Sequence, residues 1–239
     1  MKSEDLFNFS TLLSTQVRIS DLDALDPNAI WPKNIELCIT RIPIRKRDGY
    51  TAENFKKFAE KLKQHMVPNG IAFLICYAPM EAKFRPFEIA KEMVDVGFTH
   101  IDNIIIEKTW FPGKRSETNL VNSHEYVLYF CNGSVWKLDR LPIREYLGTH
   151  DQISCPGNTW KIDTGSLDES YPLDLAELLI RMTDTLPGSI VFDPYMGTTS
   201  SLRAAVQLGH SFYGHEVDDK QMKKCEKIIE DFKKGTEKK

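Results

Sequence analysis

The sequence predicts a doubly wound α/β domain, and three observations carry that expectation. Short apolar runs alternate with amphipathic stretches along most of the chain, the pattern of βαβ units. From Ser189 to Asp218 a buried run, a glycine-bearing loop, a helical stretch and a second run ending in an acid follow one another. The 239 residues suit one compact domain, or one domain with a modest insertion.

The elements follow in order. IELCIT, Ile35 to Thr40, reads as a buried strand, and RIPIRKRDGY after it as a loop. TAENFKKFAEKLKQHM, Thr51 to Met66, reads as a helix with Thr51 at its N-cap. Phe55, Phe58, Ala59 and Leu62 supply its apolar face. VPNG is expected to turn the chain into a second buried strand, IAFLICYA, Ile71 to Ala78. RPFEIAKEMVDVG is a helix that Gly97 ends. HIDNIIIEK and HEYVLYFCNG are strands. Residues 135–171 have weak periodicity and several turn formers, so an insertion or small subdomain is expected there. PLDLAELLIRMTDTLPG resumes the pattern as a helix ending before Pro187. SIVFDPYMG, SSLRAAVQLG and HSFYGHEVD are strand, helix and strand, and DKQMKKCEKIIEDFKK is a terminal helix.

Composition narrows the function classes. With 41% hydrophobic and 27% charged residues the chain has the make-up of a folded domain. No run of about 18 apolar residues predicts a membrane span. The opening MKSEDLFNFSTLL is acidic where a signal peptide is basic, so a cytoplasmic or nuclear setting is expected. A net charge of -3 argues against coating nucleic acid through bulk charge. It leaves room for local basic clusters, and two stand out: Arg41, Arg45, Lys46 and Arg47, then Lys108, Lys114 and Arg115. Five scattered cysteines lack metal-ligand spacing, and no metal is expected. Cys38 and Cys76 lie inside apolar runs and read as small core residues. The same packing reading applies to Trp110, Trp136 and Trp160.

The candidate ligand site is the C-terminal strand–loop–helix–strand unit. Asp193 stands at a strand exit, Gly197 lets the loop backbone approach a ligand, and Glu216 follows the next strand. A carboxylate there can accept both hydroxyls of a ribose through charge-assisted bonds. The chain lacks G-x-G-x-x-G, which disfavours nicotinamide and flavin cofactors.

DPYMGTT, Asp193 to Thr199, and LGHSFYGHE, Leu208 to Glu216, resemble two motifs of the DNA amino-methyltransferases in their circularly permuted β group. Those enzymes methylate adenine N6 or cytosine N4 with S-adenosylmethionine. HMVPNGIAFLI and SHEYVLYF match further family segments in the same order, so the resemblance covers nearly the whole chain. It implies a Rossmann-like methyltransferase fold with a mostly parallel sheet and permuted motif order. It divides one domain into a catalytic half (1–134), a short insertion or vestigial target-recognition region (135–171) and a cofactor half (172–239). Asp193, Tyr195, Gly197, Thr199 and Glu216 would hold S-adenosylmethionine, with Thr199 where the family has a second loop glycine.

The catalytic tetrapeptide departs from the pattern. The family has D/N/S-P-P-Y/F/W directly after the first strand; here Arg41, Ile42, Pro43 and Ile44 occupy it. The family polarises a base amine with the first side chain and stacks the flipped base on the aromatic residue. A guanidinium has no acceptor, and Ile44 has no aromatic face. Asp48 and Tyr50 lie in reach by sequence. Two readings therefore stand side by side. One is a DNA methyltransferase acting on a base amino group. The other is a catalytically inactive homologue that binds nucleic acid or scaffolds an active methyltransferase as a homo- or heterodimer. Arg41, Arg45, Lys46, Arg47, Lys114 and Arg115 would contact DNA, with RNA as the second candidate and no membrane partner.

Overall fold

The computed structural model describes residues 15–43, 50–79, 81–108, 120, 122–148, 156–163, 171–197 and 199–237. The order of elements is β1 (Val17–Ser20), β2 (Ile35–Arg41), α1 (Ala52–His65), β3 (Met66–Cys76), α2 (Arg85–Asp95), β4 (Thr99–Lys108), β5 (His124–Cys131), α3 (Leu141–Leu147), β6 (Thr159–Ile162), α4 (Leu173–Arg181), β7 (Ile190–Asp193), α5 (Ser200–Gln207), β8 (Ser211–His215) and α6 (Asp219–Glu237). The eight strands form one sheet in the order β1-β8-β7-β2-β3-β5-β4-β6. β5 runs antiparallel to β3 and β4, and every other pairing is parallel.

Helices cover both faces, which is why the central strands are near-continuous apolar runs. Along β2, Leu37 and Ile39 face one apolar layer with Leu175, Leu179, Ala204 and Ala205 from α4 and α5. Cys38 faces the other, with Phe55, Phe58 and Leu62 of α1 and Ile89 and Met93 of α2. This is the doubly wound, mostly parallel α/β fold that the periodicity predicts. α1 begins where Thr51 Oγ1 accepts the Asn54 N–H at 3.0 Å. Cys38 and Cys76 are fully buried, as their apolar runs imply. Trp160 of β6 is buried as well, whereas Trp136 is 41% exposed; Trp110 lies outside the described residues.

Two local expectations change. VPNG lies inside β3, which already begins at Met66. Met66 pairs with Ile35 and Ile71 with Leu37, so extra residues of β3 bulge opposite β2. Asn69 takes a left-handed φ of 64° in that bulge, and its N–H donates to Asn132 O at 2.8 Å, so the ladder to β5 continues. α4 stops at Arg181, well short of Pro187. There Thr183 Oγ1 donates to Ile180 O at 2.7 Å, and Thr183 bridges to Leu138. A further strand, β1 at the sheet edge, has four residues, three half-buried and Arg18 exposed, too short for periodicity to mark. Within 135–171, α3 and β6 are described, and β6 extends the main sheet beside β4. Among the described residues no helix is long and apolar enough to cross a membrane.

Candidate functional site

The chain leaves β7 through α5 to reach β8 on one side, and leaves β2 through α1 to reach β3 on the other. The connections diverge between β7 and β2, and that divergence opens a crevice beyond the carboxyl ends of these strands. A cavity of about 390 Å³ sits there. Its wall comes from the segments after four strands: Leu22 to Leu25 after β1, Ile42 and Pro43 after β2, Pro194 and Tyr195 after β7, and Glu216 and Val217 after β8. Tyr50, Thr51, Asn54 and Phe55 at the start of α1 close another side.

Glu216 is set from two directions. Its Oε2 accepts the Gly197 N–H at 2.7 Å, and its Oε1 accepts the Asp218 N–H at 2.8 Å. Gly197 lends that N–H from a φ of 51°. Thr199 follows at φ 80°, buried at the start of α5. A β-branched residue in the left-handed region costs about 1–2 kcal/mol, so this is where a glycine would relax the loop. Gly214 of β8 lies under the loop: a Cβ there would stand 2.7 Å from Met196 Sδ.

Asp193 lies beneath the loop and is fully buried. Its Oδ2 accepts the hydroxyls of Tyr171 at 3.0 Å and Ser201 at 2.6 Å, and its Oδ1 accepts the Tyr195 N–H at 3.1 Å. Burial pushes its pKa up to about 6, against the pull of these donors. Asp193 thus braces the loop from below and stands outside the cavity lining, as does Thr199. Tyr195 lines the cavity and packs on Phe58, ring centroids 5.8 Å apart. His215, also on the wall, is held below the usual histidine range by burial and then by the Lys61 charge.

The catalytic-position residues are split. Ile42 and Pro43 line the cavity, while Arg41 does not. Arg41 Nη2 reaches Glu125 Oε1 at 2.6 Å, and Lys108 Nζ meets the same oxygen at 2.7 Å. Ile44, Arg45, Lys46, Arg47, Asp48, Lys114 and Arg115 lie outside the described residues. Tyr50 is buried with the Arg85 guanidinium 3.8 Å from its ring centroid. Sequence reasoning missed the wall from Leu22 to Leu25. The signal was faint: apolar Val17 and Ile19 alternate with polar residues, and Asp21 and Asp23 follow.

Fold and crevice together define a doubly wound α/β protein with a cavity at its topological switch point. The model of the DNA methylase family matches residues 45–227, and the chain belongs to that family. The match begins directly after the Arg41–Ile44 tetrapeptide. Among solved structures, TTHA0409 of Thermus thermophilus, assigned as a DNA modification methylase, superposes with a TM-score of 0.65 at 21% identity, covering 90% of this chain and 94% of its own. M1.HpyAVI in complex with SAM matches with a TM-score of 0.65 at 19% identity, over 89% of this chain and 98% of its own. The cytosine-N4-specific PvuII DNA methyltransferase matches with a TM-score of 0.72 at 17% identity, over 85% and 83%. No curated protein matches the chain by sequence.

Proposed function

We propose that the protein binds S-adenosylmethionine in the switch-point cavity and acts as a DNA methyltransferase on a base amino group, adenine N6 or cytosine N4. The observation that carries this reading is Glu216. Its two oxygens are each fixed by one backbone N–H, which leaves acceptor capacity on a carboxylate that lines the cavity. A ribose diol matches that pair of acceptors. M1.HpyAVI, a structural relative, binds the same cofactor. Glu216 would hold the ribose, Tyr195 and Pro194 the flank of the nucleoside, and Asp193, Gly197 and Thr199 the shape of the loop. When bound, the cofactor supplies an electrophilic methyl group. Ile42 and Pro43 would face the acceptor side, and residues 135–171 would form a short target-recognition segment.

A second reading is favoured by one observation. Arg41 stands where the family polarises the amine, and its guanidinium is engaged by Glu125. Glu125 Oε1 is in turn occupied by both Arg41 and Lys108. On this reading the protein is an inactive homologue that binds nucleic acid or scaffolds a methyltransferase partner.

Calorimetric titration with S-adenosylmethionine, followed by transfer of labelled methyl to DNA and to RNA, separates the two. Binding with transfer to DNA supports the enzyme; binding without transfer supports the inactive homologue. Absence of binding at millimolar cofactor in folded protein overturns the cofactor assignment.

A further inference from the structure

The sheet order places β3 and β5 between β2 and β4, so Arg41 and Lys108 leave strands three spacings, roughly 14 Å, apart. Their charged groups nevertheless converge on one oxygen, Glu125 Oε1, at 2.6 and 2.7 Å. Both cations also sit over the Tyr77 ring, at 5.8 and 6.0 Å from its centroid. Among the described residues this cluster holds two cations and one carboxylate, an excess of one positive charge.

Exposure says which way the cluster opens. The Arg41 and Lys108 side chains are 16% and 20% exposed, and that of Glu125 is 9% exposed. The carboxylate forms the floor and the two cations the rim. Among the described residues, neither cation meets another acidic group. Arg41 brings five N–H donors and Lys108 three, far more than one carboxylate oxygen occupies. Two cations this close repel each other, and a second anion above Glu125 would relieve that repulsion. The rim is also next to the cavity, because Ile42 and Pro43 on the cavity wall follow Arg41 directly.

We infer that Arg41 and Lys108, held together by Glu125, form a seat for one phosphodiester group of a DNA strand beside the acceptor side of the cavity. This rests on the proposal that the protein acts on or binds DNA. It gives Arg41 a role that a guanidinium can perform: two donors of its planar fork meet two phosphate oxygens. Lys108 adds a point charge to the same phosphate. Glu125 is a positioning residue, which holds the two cations at one place and lowers their combined attraction for an anion.

The test is fluorescence anisotropy of a labelled DNA duplex and of its single strand, titrated with the full chain across a salt series. Each phosphate contact adds about 0.9 to the slope of log K against log salt for duplex, and about 0.7 for single strand. Arg41→Gln leaves the balanced Lys108–Glu125 pair in place, so it is the variant expected to stay folded. It should weaken binding and flatten the slope by about one contact. Glu125→Gln leaves two uncompensated cations and should tighten binding and steepen the slope. Thermal melts establish that each variant is folded. An unchanged slope in folded Arg41→Gln, or weaker binding in folded Glu125→Gln, overturns the seat. Cofactor titration of the wild-type protein reads the parent proposal separately. A shifted slope without cofactor binding keeps the seat and discards the enzyme; cofactor binding with an unshifted slope does the reverse.

Discussion

Glu216→Gln tests the cavity at the residue on which the cofactor assignment rests. The wild-type carboxylate accepts the Gly197 N–H at 2.7 Å and the Asp218 N–H at 2.8 Å, one on each oxygen. Glutamine is nearly the same shape but replaces one oxygen with an NH2 group. In either orientation that NH2 faces a backbone N–H, donor against donor. One charge-assisted bond is lost and one N–H is left unsatisfied, at a cost of about 2–3 kcal/mol. The ligand also loses one of the two acceptors for its hydroxyls. The backbone bonds are lost from free and bound protein alike, so the Kd for S-adenosylmethionine rises through the lost ligand acceptor, by about 1–3 kcal/mol or roughly 5- to 150-fold. The assay is isothermal titration of wild type and variant with cofactor, alongside urea unfolding without it. The unfolding curve reports how much of the cost the free loop already carries. A Kd within twofold of wild type, in a folded variant, would refute the reasoning and move the nucleoside away from Glu216.

Gly214→Ala places a Cβ 2.7 Å from Met196 Sδ and 2.8 Å from Phe212 Cε1. Overpacking of this kind costs about 1–3 kcal/mol, so the urea midpoint should fall and cofactor binding weaken as the Met196–Gly197 loop shifts; a variant as stable as wild type would show that the contact yields freely. Asp193 carries a pH signature. Its folded pKa of about 6 lies above the ordinary 3.8, so its contribution to stability is full below about pH 4 and lost as pH rises through 6. The change amounts to about 3 kcal/mol. Urea unfolding between pH 4 and pH 7 should show it in wild type and lack it in Asp193→Asn; equal pH dependence in both proteins would contradict the assignment.

Much of the site was legible in local pattern. The run SIVFDPYMG, the helix after it and FYGHE place a strand exit, a loop glycine and an acid at spacings that only need neighbouring residues to act. Glu216 and Gly197 do meet, through a bond between residues 19 apart inside that one unit. Thr199 is instructive in the same way. The missing glycine is visible in sequence, and the positive φ of 80° is what gives its absence a physical cost.

Other parts were out of reach because they depend on strand neighbours, not on spacing along the chain. The hydroxyl of Tyr171 reaches Asp193 across 22 residues, and nothing in ESYPLD announces it. Arg41 reads from sequence as one of a run of basic residues in a loop. In the fold it lies at a strand end and bonds Glu125, 84 positions away. Burial periodicity along the chain determined the α/β class and the order of most strands and helices, since each element's apolar face is written in its own residues. Only the tertiary structure decided that the segment after β1 closes the cavity and that Arg41 and Lys108 share one oxygen of Glu125. Crossover connections and the antiparallel insertion of β5 set which strand ends adjoin, and no local pattern encodes that.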